Sequence, residues 1–225
     1  MFERLAELFP PALVELFVTS FWETLVMVGI SGVVAALIGI PLGVLLRLTD
    51  RGGVLESLAF NRIAGLLVNA VRSTPFIILL VLLIPFSRFV VGTSIGPKAA
   101  AVALSFAVIP YFARMVEQNL RDVPRGMIDM ALACGASPMD VIRKVLVREA
   151  LPGLLGSLTV TATGFIAYSA VAGAVGAGGL GDLAIRYGYY RFETAVMIWC
   201  VVIMFVLVQL TQLLGDWLVR RTDKR

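Results

Sequence analysis

Residues 24–46 read TLVMVGISGVVAALIGIPLGVLL, a run without one charge, closed by Arg47, Asp50 and Arg51. A helix needs roughly 20 apolar residues to cross the hydrocarbon core of a bilayer, and this stretch supplies them. The rest of the chain repeats the pattern. The 225 residues are 59% hydrophobic and 15% charged, with a mean hydropathy of +0.93. A soluble domain is about a quarter charged, so this composition sets the chain in a membrane.

Further apolar runs fall at 63–86, 96–112, 152–175 and 194–219. The fold expected is therefore all-α and integral to the membrane, with about five transmembrane helices in one domain over 1–225. Residues 1–17, with Pro10, Pro11 and mixed charge, are expected on the membrane surface. Glu3, Arg4 and Glu7 argue against a cleavable signal there. Gly39 and Gly43, like Gly32 and Ala36, lie four apart in the first span. Such spacing suits close helix approach, and it also suits the glycine content usual in membrane helices. The second span is interrupted at Arg72-Ser73-Thr74-Pro75, where Ser73 or Thr74 could cap a new helical start at Pro75.

Charge sets the orientation. Lys and Arg at 47, 51, 62, 114, 121, 125, 143, 144, 148, 220, 221, 224 and 225 fall on one side, and those at 4, 88, 98, 186 and 191 on the other. The richer side belongs in the cytoplasm. This places the N-terminus outside, with residues 113–151, expected as a long loop, and the C-terminus inside. The net charge of +4 follows from this arrangement and implies no nucleic acid.

The loop carries its own architecture. Pro124 suits the first turn of a helix that Gly135 can end in a left-handed cap. Ser137 is then a good N-cap, Pro138 takes the first helical position, and Asp140 three residues on resembles the acid of a capping box. Asp140 and Lys144 stand four apart in the favourable order. Met139, Ile142 and Leu146 form one apolar stripe on a helix expected over 138–149. The result is a helix–turn–helix under the membrane, either resting on its own bundle or presenting an apolar ridge.

This segment resembles the EAA loop of ABC importer permeases. Asp129-Met130-Ala131, Gly135 and Leu151-Pro152 match its acidic residue, alanine, glycine and closing Leu-Pro. Asp129 replaces the usual Glu, and Met130 the first Ala. Resemblance to the methionine-importer branch extends from about residue 20 to 219, through Arg72-Ser-Thr-Pro-Phe, Ile84-Pro-Phe, Val91-Gly-Thr-Ser-Ile-Gly96, Ala113-Arg-Met-Val-Glu117, Glu149-Ala-Leu-Pro-Gly153 and 173–181. The resemblance implies a cytoplasmic coupling loop over 122–152. Asp129, Ala131, Gly135, Ala136, Ser137, Pro138, Met139 and Ile142 would there meet a separate ATPase. It also implies a bacterial inner-membrane homodimer and an extracytoplasmic substrate-binding lipoprotein delivering an amino acid, methionine. ATP and Mg would sit on the ATPase, with no cofactor on this chain.

Chemistry elsewhere is sparse. There is no histidine, and Cys134 and Cys200 have no paired spacing, so neither a metal site nor a general base stands out. Gly176-Ala-Gly178-Gly-Leu-Gly181 spells a dinucleotide fingerprint but follows a membrane helix rather than a strand. A close-packed, flexible outer turn or gate is the better reading. No phosphate-binding P-loop occurs, so if transport is ATP-driven the ATPase must be a separate chain. Arg72 is the one charge far from the ends of an apolar span. It either lines a water-filled path or snorkels to the cytoplasmic face. Tyr168 and Ser169, midway along the fourth span, are further pathway candidates. The rivals are an ion-coupled secondary transporter, which the uncharged interiors of the other spans disfavour, and a membrane scaffold or intramembrane enzyme.

Overall fold

The computed structural model describes residues 11–223, all helix and turn with no strand among them. Residues 1–10 of the expected surface segment, and Lys224 and Arg225, lie outside the described residues. Helix α1 runs Pro11–Thr49, so residues 11–17 are its first turns, not a separate surface element. Its 39 residues extend roughly 58 Å at 1.5 Å per residue, well beyond the ~30 Å hydrocarbon core. Gly52, at φ +73°, turns the chain after it, and the Gly53 amide donates to the Asp50 carbonyl at 2.9 Å.

The interruption expected near Pro75 is a sharp break. Helix α2 (Leu58–Ser73) and α3 (Phe76–Leu82) meet at 102°. Thr74 is extended, at ψ 125°, as a residue before proline prefers. Its hydroxyl donates to the Ala70 carbonyl and that of Ser73 to Asn69. Both hydroxyls therefore finish α2; neither caps a start at Pro75 as the sequence suggested. Helix α4 (Ile84–Val91) follows and ends on Gly92 at φ +76°.

Helix α5 (Pro97–Arg121) passes well beyond residue 112, so residues 113–121 are helix where a loop was expected. Its added turns carry Arg114, Glu117 and Arg121, charges that pair among themselves. Helix α6 (Arg125–Ala133) comes next. Helix α7 (Pro138–Gly173) is continuous through a π-helical stretch, Val141–Leu146, and through Pro152. The short helix expected over 138–149 and the fourth span are thus one element. Helix α8 (Gly179–Leu183) continues into π-helical Ala184–Tyr189, and α9 is Thr194–Thr222. Helices α1, α5, α7 and α9 are long and apolar enough to cross a membrane, and the bent α2–α3 pair makes a fifth candidate.

The described residues form two compact units. One comprises 11–31, 76–105 and 163–210; the other 32–75, 106–162 and 211–223. In the second unit, α1 lies against α5 where glycine removes the side chain. A Cβ on Gly43 would stand 2.5 Å from the Ala113 carbonyl oxygen, and one on Gly39 2.9 Å from Phe112. Of the two readings of this glycine pair, close helix approach is the one realised. In the first unit the Gly176–Gly181 turn is packed as tightly: Gly173 abuts the Asp182 backbone, and Gly181 abuts Ala170. The Gly179 amide donates to Glu23 (2.7 Å) and the Leu180 amide to the Thr24 hydroxyl (3.0 Å).

Candidate functional site: the capped hairpin of residues 122–152

The hairpin is built by its two helix ends. Helix α6 closes in a complete left-handed cap. Gly135 sits at φ +80°, its amide donates to Leu132 (2.9 Å), and the Ala136 amide reaches Ala131 (3.0 Å). These bonds satisfy carbonyls that a helix end leaves unpaired. One residue later α7 begins. Ser137 is extended, and its hydroxyl accepts from the Asp140 amide at 3.2 Å, with Pro138 in the first turn. The Asp140 carboxylate takes the Ser137 hydroxyl (2.6 Å) and the Lys144 ammonium (2.6 Å). Those two partners, Lys144 first, hold its carboxyl down at about 2. Asp140 lies on α7 ahead of that helix's apolar run, 152–175. A carboxyl lowered in this way supports the folded hairpin above its ordinary value near 4, and loses that effect only as pH falls through about 2. The cap is therefore fully formed near neutrality.

Burial sorts the apolar residues. Ile128, Val141 and Leu146 are buried and hold the hairpin to its unit. Leu146 thus leaves the expected ridge of Met139, Ile142 and Leu146. Met139 is 54% exposed and Ile142 half-buried, whereas Met130, at 63%, and Leu132 are exposed on α6. Sequence reasoning missed these two, treating Met130 only as a departure from alanine. The signal was present, since two large apolar residues on a short charged helix need a cover.

Asp129 is exposed and lines a cleft with Arg47, Arg125 and Leu146. Ala131 and Ala136 are joined by the cap bond, while Ser137 and Pro138 form the N-terminal turn of α7. The structure thus gathers Gly135, Ala136, Ser137, Pro138 and Met139 at one corner, with Asp129 on the preceding helix.

A second feature stands in the same unit. Glu117 is 3% exposed, and its two oxygens take Arg114 (2.6 Å) and Arg121 (2.7 Å). Arg121 also reaches Asp50 at 2.8 Å, and Arg114 reaches the Gly65 carbonyl at 3.3 Å. The chain of charges ties α1, α2 and α5 together. Spacings of three and four between Arg114, Glu117 and Arg121 could have revealed it.

The pathway candidates have separate settings. Arg72 is exposed and lies 5.8 Å from the centroid of the Tyr111 ring. Tyr168, in the other unit, stacks on Phe76 at 4.9 Å. Ser169 is buried and donates to the Ile166 carbonyl within its own helix, so its hydroxyl is spent on the backbone.

Among the described residues no cluster of metal-ligating side chains occurs. The described residues thus combine several apolar helices, one broken helix and a doubly capped hairpin. The chain belongs to the binding-protein-dependent transport system inner membrane components, whose family pattern matches residues 39–224. It is 49% identical over 211 residues to the "Probable D-methionine transport system permease protein MetI" of Vibrio cholerae, covering 94% of each chain. To the D-methionine transport system permease of Escherichia coli it is 48% identical over 158 residues, 70% of this chain and 73% of that one. Its fold matches a chain of the inward-facing MetNI methionine ABC transporter with a TM-score of 0.93. That match is 46% identical and covers 95% of this chain and 99% of that one.

Proposed function

We propose that this chain is the permease subunit of an ATP-driven methionine importer of the bacterial inner membrane. The observation that carries the reading is its likeness, over nearly its whole length, to methionine permeases. ATP and Mg are handled by a separate ATPase, and this chain supplies the path and the mechanical connection. Two copies of the chain assemble with the ATPase, and an extracytoplasmic lipoprotein delivers the amino acid.

The capped hairpin, within a single transporter domain, is the coupling element. Its exposed Met130, Leu132 and Met139 supply apolar contact, and Asp129 supplies a charge at the edge. Two caps in succession fix the angle between α6 and α7, which lets a displacement of the corner be passed on rather than absorbed. Coupling requires only that the ATPase favour different permease conformations with and without nucleotide. The lysine and arginine distribution supports a cytoplasmic hairpin and an outside N-terminus. Arg72, exposed beside the break between α2 and α3, serves the substrate path. Broken helices often mark such sites, and a guanidinium suits an amino-acid carboxylate.

Proteoliposomes holding the chain, its ATPase and a binding protein test the reading. Labelled methionine should enter only with ATP present, and unlabelled methionine should compete. Uptake that ignores ATP but collapses with an ionophore would favour the ion-coupled rival. No uptake under either condition would leave a scaffold.

A further inference from the structure

In the first unit, α1 and the loop before α5 enclose an apolar groove. Val18, Trp22 and Val26 recur four residues apart, so they stand on one face of α1. All three are exposed, as is Ile95 across the groove. Two charges share its lining, Glu23 from α1 and Lys98 from the first turn of α5. Neither is in an ion pair among the described residues. Glu23 spends one oxygen, Oε2, on the Gly179 amide. Lys98 is exposed and stands at the positive end of a helix dipole, where a cation gains nothing for the fold. From Thr24 to Leu46, α1 carries no charge, so Trp22 and Glu23 stand where its apolar stretch begins. Tryptophan favours that level of a membrane, beside the lipid headgroups.

We propose that this groove binds one phospholipid whose headgroup carries both a phosphate and a primary ammonium. The acyl chain lies along Val18, Trp22 and Val26, the phosphate meets Lys98, and the ammonium meets Glu23. The complementarity decides among occupants. An anionic headgroup would satisfy Lys98 but set its charge against Glu23. A quaternary ammonium has no N–H to donate to the carboxylate. A protein helix in the groove would bury both charges unless it brought two of its own in the matching order, and an unpaired buried charge is costly.

Native mass spectrometry of the full chain in its assembled transporter tests this. Delipidated samples receive phosphatidylethanolamine, phosphatidylcholine or phosphatidylglycerol at equal concentrations. The ethanolamine lipid should bind about threefold or more above the other two, the effect of one exposed charge pair. Lys98→Gln should weaken the adducts of all three, since each carries the phosphate, and leave the ethanolamine lipid ahead. Glu23→Gln keeps an oxygen for the Gly179 amide but leaves none for the ammonium, and should erase the preference over both other lipids. Arg88→Gln, an exposed arginine outside the groove, should change nothing. Equal binding of all three lipids would show an acyl-chain groove without headgroup recognition. Displacement of the ethanolamine lipid by millimolar inorganic phosphate would show an anion site only. Unchanged adducts in Lys98→Gln would place the lipid elsewhere. Each of these three results overturns the proposal.

Discussion

Glu117 and Arg121 form an ion pair at 2.7 Å on α5, with the acid almost wholly buried and the base half-exposed. The asymmetry predicts unequal costs. Glu117→Gln takes the carboxylate from Arg114 and leaves Arg121 with Asp50 alone, and the chain should lose about 1–3 kcal/mol, the cost of broken charge-assisted bonds. Arg121→Gln should cost less, because its side chain is open to water and Arg114 still holds Glu117. Thermal unfolding of both variants in one detergent checks the order. A Glu117→Gln variant as stable as the parent would show that the network is dispensable.

The glycines of α1 give a second contrast. Alanine favours a helix over glycine by roughly 1 kcal/mol, so Gly29→Ala, which meets nothing within 4 Å, should hold or raise the melting temperature. Gly43→Ala would drive a methyl into the Ala113 carbonyl and Val116, and should lower it, since overpacking costs about 1–3 kcal/mol. Equal shifts in the two variants would mean that α1 and α5 can separate freely.

Arg72→Ala should lower methionine uptake without weakening ATPase capture. Its contact with the Tyr111 ring is worth only about 0.5–1 kcal/mol at an exposed site, so the fold should survive. Unchanged uptake kinetics would retire the path role and leave a snorkelling arginine.

Orientation can be read from a residue already present. Cys134 is exposed at the hairpin corner and Cys200 is buried. Cys134 should react only with reagents that reach the cytoplasm. In a Cys134→Ser background, a cysteine replacing Tyr190, which is 69% exposed, should react only from outside. Asp182 would be a poor reporter, being buried and paired with Arg186. Reversed labelling would overturn both the orientation and the coupling assignment.

Much of this was legible in the sequence because the decisive signals are local. Ser137, Pro138, Asp140 and Gly135 specify two helix ends through their own side chains and backbone angles, and the structure forms both. The broken helix at Pro75 was equally visible, though Ser73 and Thr74 turned out to bond backward. Less legible was where helices stop. Arg114, Glu117 and Arg121 looked like loop because they are charged, yet they satisfy one another and let α5 continue to Arg121. Burial was least legible. Nothing in the stripe Met139, Ile142 and Leu146 distinguishes the residue facing the bundle from the one facing out. Only packing places Leu146 inside and brings Met130 and Leu132 to the surface.

The central claim, that the doubly capped corner is where the ATPase docks, is tested most directly by ATPase capture on hairpin variants. A Cβ on Gly135 would meet no atom within 4 Å, so the strain of Gly135→Val comes from its left-handed backbone, at a cost of about 1 kcal/mol or more. It should leave the spans inserted, tilt α7 against α6 and weaken capture. Met130→Asp with Met139→Asp leaves the angle alone and removes the apolar contact. Hot spots of this kind cost about 2 kcal/mol or more, so capture should fall by roughly thirtyfold. The measurement is the amount of ATPase retained by the purified chain at matched expression. Loss in both variants is the predicted result. Full retention in both would contradict the account and place the docking surface elsewhere.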